Sequence, residues 1–181
     1  MTAVRRSILS LLVSVSYFSH PIYAKEAVDI AKIMKQSCPE AVGVEKRSRL
    51  LSKKEAADIQ KIAETKLRSR IVRYYTASGR SGPECLSILL SRKVRTKKAA
   101  VLYIVKEPGK IVSIEILAFA EPPEYKPAKS WLKLMDGKDL SRPLRAGRDI
   151  PAISGATLSA RNVTDGARLA LALFDILKRG R

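Results

Sequence analysis

The stretch that most constrains this chain is Ser154-Gly155-Ala156-Thr157, followed by Leu158-Ser159 and by an apolar helical pattern from Asn162 to Lys178. Val163, Ala167, Ala170, Leu171, Phe174 and Leu177 recur at the spacing of one helix face, which predicts a long buried C-terminal helix. Three small residues and a hydroxyl therefore fall where irregular chain gives way to that helix. First-turn N–H groups lack internal acceptors and the helix dipole favours negative charge there, so such a junction suits an anion. Gly155 permits a tight or positive-φ turn, and Ala156 adds only a methyl. Thr157 puts a hydroxyl in the middle, where a phosphate can be bound or esterified. The same residues also make an ordinary helix N-cap, and the motif alone does not separate the two.

Residues 1–24 read as a signal peptide. Arg5-Arg6 form a charged head, Ile8 to Phe18 a short apolar run, and Pro21-Ile22-Tyr23-Ala24 a cleavage end. The apolar run is too short to span a bilayer core of roughly 30 Å. The expectation is export with cleavage after Ala24, an uncleaved membrane tether being the alternative. Cleavage removes two of the 35 Lys and Arg and none of the 17 acids, so the mature chain stays strongly basic. That charge favours solubility and attraction to acidic surfaces. For an exported protein, anionic lipid or an acidic redox partner fits better than nucleic acid. A merely basic, solvated surface is the plainer reading.

The sole histidine, His20, lies inside the signal. Without it the chain has no imidazole for a Ser–His pair, a zinc site or a haem ligand. Cys38 and Cys85 are too few to build a zinc or iron–sulfur site by themselves. In an oxidising compartment they form one disulfide or remain two separate buried thiols; spacing does not decide. Hydrolytic and metal chemistry are thereby disfavoured.

Along the chain, Ala27, Ile30, Ala31 and Met34 predict an amphipathic helix over 25–36, ended by Cys38-Pro39. Ser52-Lys53-Lys54-Glu55 reads as a capping box, after which Ala56, Ile59, Ile62, Ala63 and Leu67 trace one helix face. Strands are expected at 71–76, 85–90, 99–106 and 110–119. The turn at 78–83 separates the first two, the basic run 92–98 the second and third, and Glu107-Pro108-Gly109 the last two. The three prolines of 121–127 exclude helix and central strand, and a short helix around 128–135 carries the only tryptophan, Trp131. Residues 140–149 form an irregular crossing with Arg142, Arg145 and Arg148. The fold class expected is α+β: an antiparallel sheet of about four strands packed with N-terminal helices and the long C-terminal helix. By region, 1–24 is the signal peptide, 25–83 an N-terminal helical region with the first strand, and 84–178 the main domain.

The run from Gly147 to Arg161 (GRDIPAISGATLSAR) resembles the FMN-binding domain, found in peripheral subunits of sodium-pumping NADH:quinone reductase, in its electron-bifurcating relatives and in small exported proteins. Segments 51–76, 93–96, 121–131 and 147–177 resemble the exported single-domain members, which makes 84–178 the FMN-binding domain. The family pattern has Asp three residues before the Ser; Pro151 stands there, and Asp149 is the nearest acid.

The resemblance implies FMN as cofactor, joined to Thr157 through a phosphoester by a separate flavin transferase, with reversible FMN binding in the same loop, to which Pro151 points, as the alternative. Ser154, Gly155, Ala156 and Leu158 then form the loop around the phosphate. Glu121 resembles a position the family keeps near the flavin. Arg145, Arg148 and Arg161 are candidates for charge compensation, and Tyr125 and Trp131 for stacking on the flavin ring; surface and packing roles are the alternatives for each. The function implied is an electron-transfer flavoprotein rather than a stand-alone catalyst, periplasmic or exported, on the outer face of the inner membrane, working between a membrane, haem or flavin partner and soluble partners. The alternative is a cofactor-free basic adaptor of the same fold, binding an acidic partner or an anionic membrane.

Overall fold

The computed structural model describes residues 28–80 and 82–179. The signal-peptide reading of residues 1–24 lies outside the described residues. The elements are α1 (Ile30–Ser37), β1 (Gly43–Leu50), α2 (Lys53–Ala63), β2 (Ile71–Gly79), β3 (Gly82–Lys93), β4 (Lys98–Lys106), β5 (Lys110–Phe119), α3 (Lys129–Leu132) and α4 (Thr157–Arg179). Short 3-10 turns at Pro123–Tyr125 and Lys133–Met135 flank α3. The class is α+β, and the sheet is an antiparallel meander in the order β1-β2-β3-β4-β5.

Five strands replace the four expected. The added one, β1, pairs with β2 along its whole length, from Gly43 opposite Ser78 to Leu50 opposite Ile71. Its sequence, GVEKRSRL, has no apolar alternation, and its side chains are almost all exposed. Lys46, Arg47 and Arg49 on an edge strand discourage further strand pairing, and they also hide the strand from a search for hydrophobic period.

Helices cover both faces of the sheet. On one face α2 and α4 pack over Val72, Tyr74, Leu86, Ile88, Val101, Tyr103 and Val105. On the other, α1 places Met34 and Cys38 against Ala77, Cys85, Leu102 and Ile104. Cys38 and Cys85 are joined in a disulfide with Cα atoms 6.5 Å apart, which ties the end of α1 to β3. Central β4 is buried on both faces from Val101 to Val105.

The helix starts follow the chemistry of their caps. Ser52 Oγ accepts the Glu55 N–H at 3.1 Å and Glu55 Oε2 accepts the Ser52 N–H at 2.8 Å, a complete capping box for α2. Within α2, Ala56, Ile59 and Ala63 are buried, whereas Ile62 faces solvent.

Helix α4 is positioned by polar contacts along its N-terminal half. Asn162 Nδ2 donates to the Lys93 carbonyl at 2.8 Å, and the Tyr103 hydroxyl donates to the Val163 carbonyl at 3.2 Å. Arg168, almost fully buried, donates to the carbonyls of Ala63 (2.8 Å) and Leu144 (2.9 Å), to Thr65 Oγ1 (2.9 Å) and to Asp165 (2.8 Å). One guanidinium thus joins the end of α2, the 144 loop and α4. The start of α4 is therefore held at a fixed place beside the β3–β4 turn. Among the described residues no helix is long and apolar enough to cross a membrane.

Candidate functional site

The site lies where three segments meet: the start of α4, the β3–β4 turn and the proline-rich stretch after β5. Val94, Arg95, Glu121, Tyr125 and residues Gly155 to Ser159 line an open cleft of about 190 Å³. Thr157 is the first residue of α4 and is exposed. The Ala160 N–H bonds to the Ala156 carbonyl at 3.0 Å, so Ala156 is the cap residue, and its methyl offers no capping oxygen. The N–H groups of Thr157, Leu158 and Ser159 are those a helix leaves unpaired at its start. Gly155 has φ +74°, and a Cβ there would meet nothing within 4 Å. The loop takes the left-handed turn that glycine allows and leaves open space in front of the helix.

The opposite wall is organised by Glu121. One of its oxygens, Oε1, accepts the N–H groups of Arg95 (3.0 Å), Thr96 (2.6 Å) and Lys97 (2.7 Å), and Oε2 accepts the Thr96 hydroxyl at 3.1 Å. Bonds to the ionised form, that from Lys97 foremost, outweigh the cost of burial and hold the carboxyl down to about 2. Its oxygens are thus committed to the β3–β4 turn, and the residue acts on the cleft by fixing Val94 and Arg95 as its wall. Tyr125, half-buried in the 3-10 turn, closes one end, and Leu158 stands exposed at the rim.

The structure brings together Glu121, Tyr125, Gly155, Ala156, Thr157 and Leu158 among the residues singled out from the sequence. Ser154 is exposed one residue outside the lining. Trp131 points elsewhere: its Nε1–H donates to the Pro151 carbonyl at 2.9 Å, which braces the loop leading to Ser154. Arg148 lines a separate cleft with Arg145 and Arg161. Asp149, the acid nearest the position held by Pro151, accepts the N–H groups of Leu144 (2.9 Å) and Arg145 (2.7 Å). Burial pushes its pKa up, but these N–H groups outweigh it and leave the carboxyl below its ordinary range. It is occupied with the 144–149 loop. Sequence reasoning did not single out Val94, Arg95 and Ser159 as site residues. The three-dimensional link from Glu121 to the turn brings Arg95 to the cleft, and in the sequence only the likeness of segment 93–96 to the exported members points to this turn.

Residues 97–172 match the family model of the FMN-binding domain. Neither the curated proteins nor the solved structures include a match to the chain. The matched span begins in the turn held by Glu121, takes in the Thr157 loop and runs through most of α4. The cleft fits the phosphate end of FMN: first-turn N–H groups, the Arg95 side of the turn and the open space at Gly155 converge there. At about 190 Å³ it falls below the 300–1,000 Å³ of pockets that enclose a whole ligand. A flavin held at this cleft keeps part of its surface exposed. A phosphate-ready helix start, a wall fixed by Glu121 and the match over residues 97–172 converge on one assignment: that span belongs to the FMN-binding domain family, and FMN is its cofactor.

Proposed function

We propose that the protein is an exported flavoprotein that carries FMN covalently on Thr157 and passes electrons between a membrane-bound redox partner and a soluble periplasmic one. The observation that carries this reading is Thr157 itself, an exposed hydroxyl on the first residue of a 23-residue helix, at the rim of the cleft that Glu121 organises. A hydroxyl in that position is reachable by a second protein, and its product phosphate falls under the first-turn N–H groups.

The attachment is a phosphoryl transfer without redox change. The Thr157 oxygen bonds to the FMN-side phosphorus of FAD, and the pyrophosphate P–O bond breaks. AMP leaves with that electron pair, and the hydroxyl proton passes to a base of a magnesium-dependent flavin transferase. The cofactor, once in place, supplies the electron chemistry. The chain's residues do the rest: Gly155 leaves room for the incoming pyrophosphate, the start of α4 holds the phosphate, and the Arg95 wall balances its charge. A tether also retains the cofactor outside the cytoplasm, where a dissociated flavin is lost by diffusion.

Co-expression with a flavin transferase, followed by denaturing electrophoresis, tests the assignment. In-gel flavin fluorescence is expected in the wild type and absent in Thr157→Ala. Fluorescence that survives the substitution, or never forms in the wild type with an active transferase, overturns it. Export is checked separately by intact mass, which should begin at Lys25; exported protein starting at Met1 would contradict it.

A further inference from the structure

We propose that the cleft carrying Arg145, Arg148 and Arg161 is a docking site for an acidic protein surface, placed one helical turn from Thr157. The cleft lies beside α4, has a volume of about 520 Å³, and is lined also by Gly147, Asp165 and Arg168. Its charges divide into those already used and those still available. Arg168 spends its guanidinium on Ala63, Leu144, Thr65 and Asp165. Arg145 pairs with Glu64. Asp165, the one acid in the cleft, is engaged by Arg92 at 3.4 Å as well as by Arg168. Arg148 and Arg161 are exposed, and neither has a carboxylate within 4.0 Å among the described residues. The cleft therefore presents net positive charge that the protein itself does not neutralise.

The loop that carries Arg145 and Arg148 is built to hold its shape. Asp149 takes the N–H groups of Leu144 and Arg145, the Gly147 N–H bonds to the Ile150 carbonyl at 2.7 Å, and Arg168 fixes the Leu144 carbonyl. Leu144 is fully buried in a left-handed conformation, φ +47°, which a leucine adopts only where its surroundings enforce it. On the helix side, Arg161 stands four residues after Thr157 on the same face of α4, at a Cβ spacing of about 5–6 Å.

An acidic protein surface fits this cleft better than a membrane does. Carboxylate side chains reach into a concavity and meet a guanidinium two bonds at a time, whereas lipid headgroups present a plane. Among the described residues, the exposed large apolar side chains that could enter lipid (Val28, Val42, Leu50, Ile62, Ile71, Leu134 and Leu158) do not line it. Its use in electron transfer rests on FMN being attached at Thr157; the binding itself does not.

The test is fluorescence anisotropy with a fluorescein-labelled hexaglutamate peptide, on full mature protein. Arg148→Glu/Arg161→Glu should weaken binding at least about tenfold, and Arg148→Gln/Arg161→Gln by an intermediate factor. Lys32→Glu/Lys35→Glu makes the same change in net charge on α1, across the sheet, and should alter binding by less than about twofold. Thr157→Ala should bind like the wild type, so loss of the flavin reading leaves the cleft standing and loss of the cleft leaves the flavin standing. Equal losses for the two charge-reversed pairs overturn the proposal. So does an Arg148→Glu/Arg161→Glu protein that keeps peptide binding intact but loses binding to phosphatidylglycerol–phosphatidylcholine vesicles.

Discussion

The phenol of Tyr103 occupies the space that a side chain at Gly166 would fill. A Cβ at Gly166 would lie 2.6 Å from Tyr103 Cζ and overlap the hydroxyl, which donates to the Val163 carbonyl at 3.2 Å. Burial raises the Tyr103 pKa, so the hydroxyl stays protonated and keeps this bond at any working pH. Gly166 is thus a contact surface in the middle of a long helix, where glycine would otherwise be unfavourable. It lets α4 approach β4 closely and fixes the height at which Thr157 stands over the β3–β4 turn.

Gly166→Ala should therefore destabilise, although alanine is the better helix former. The overlap falls on a fully buried ring, and overpacking of this kind costs about 1–3 kcal/mol. Urea unfolding should give a lower midpoint, and Tyr103→Leu combined with Gly166→Ala should cost less than the sum of the two single changes. Additive losses would mean that the two residues do not meet.

Closing the disulfide constrains a long loop. Cys38 and Cys85 are separated by 47 positions, for which the chain-entropy treatment gives about 4 kcal/mol. Cys38→Ala/Cys85→Ala should lower stability by an amount of that order while leaving the sheet intact, because α1 keeps Met34 and its apolar contacts. Peptide mapping without reductant should recover the two cysteines in one linked fragment; two alkylated thiols in protein purified under oxidising conditions would refute the pairing.

The sequence was legible where burial imposes a period. β4 reads as one unbroken apolar run because it is buried on both faces, β5 alternates in part, and α4 shows its stripe because most of it is buried. The capping box of α2 is readable because both partners lie within four residues. β1 was not legible, since an edge strand protected by Lys and Arg carries no apolar signal. Within the site, the helix start was plain from Ser154 to Thr157. The opposite wall was not, because Glu121 acts on backbone N–H groups about 25 positions away, which bonds of this kind leave free of side-chain signature. Arg145, Arg148 and Arg161, near Thr157 in sequence, all line a separate cleft for a similar reason. The 144–149 loop turns Arg148 towards Arg161 and Arg168, and this turn is set by Asp149 and buried Leu144.

Glu121 gives a pH signature of defined sign. Its folded pKa, about 2, lies below the ordinary value of 4.5, so the ionised form is bound more tightly in the folded protein. That contribution is full above about pH 4.5 and is lost as pH falls towards 2. Glu121→Gln lacks it. The stability difference between wild type and Glu121→Gln, measured by urea unfolding, should be constant from pH 7 to about pH 5 and shrink steadily below that. A difference that does not change with pH would show that the carboxylate charge contributes nothing to holding the turn. Other carboxylates titrate in both proteins and cancel in the comparison.

Trp131 acts on the site at one remove. Its Nε1–H holds the Pro151 carbonyl at 2.9 Å, three residues before Ser154, while its ring packs half-buried against the core. Trp131→Phe keeps an aromatic ring and removes only the donor, at a cost of about 1 kcal/mol or less for so exposed a bond. The loop from Pro151 to Ala156 then loses its brace. Flavin attachment at Thr157, followed as in-gel fluorescence against time with a limiting transferase, should slow several-fold and still reach completion. The emission of the attached flavin should match the wild type, because the tryptophan ring does not line the cleft. An unchanged attachment rate with brighter emission would assign Trp131 instead to stacking on the flavin, where an indole quenches by contact, and the brace at Pro151 would then be incidental.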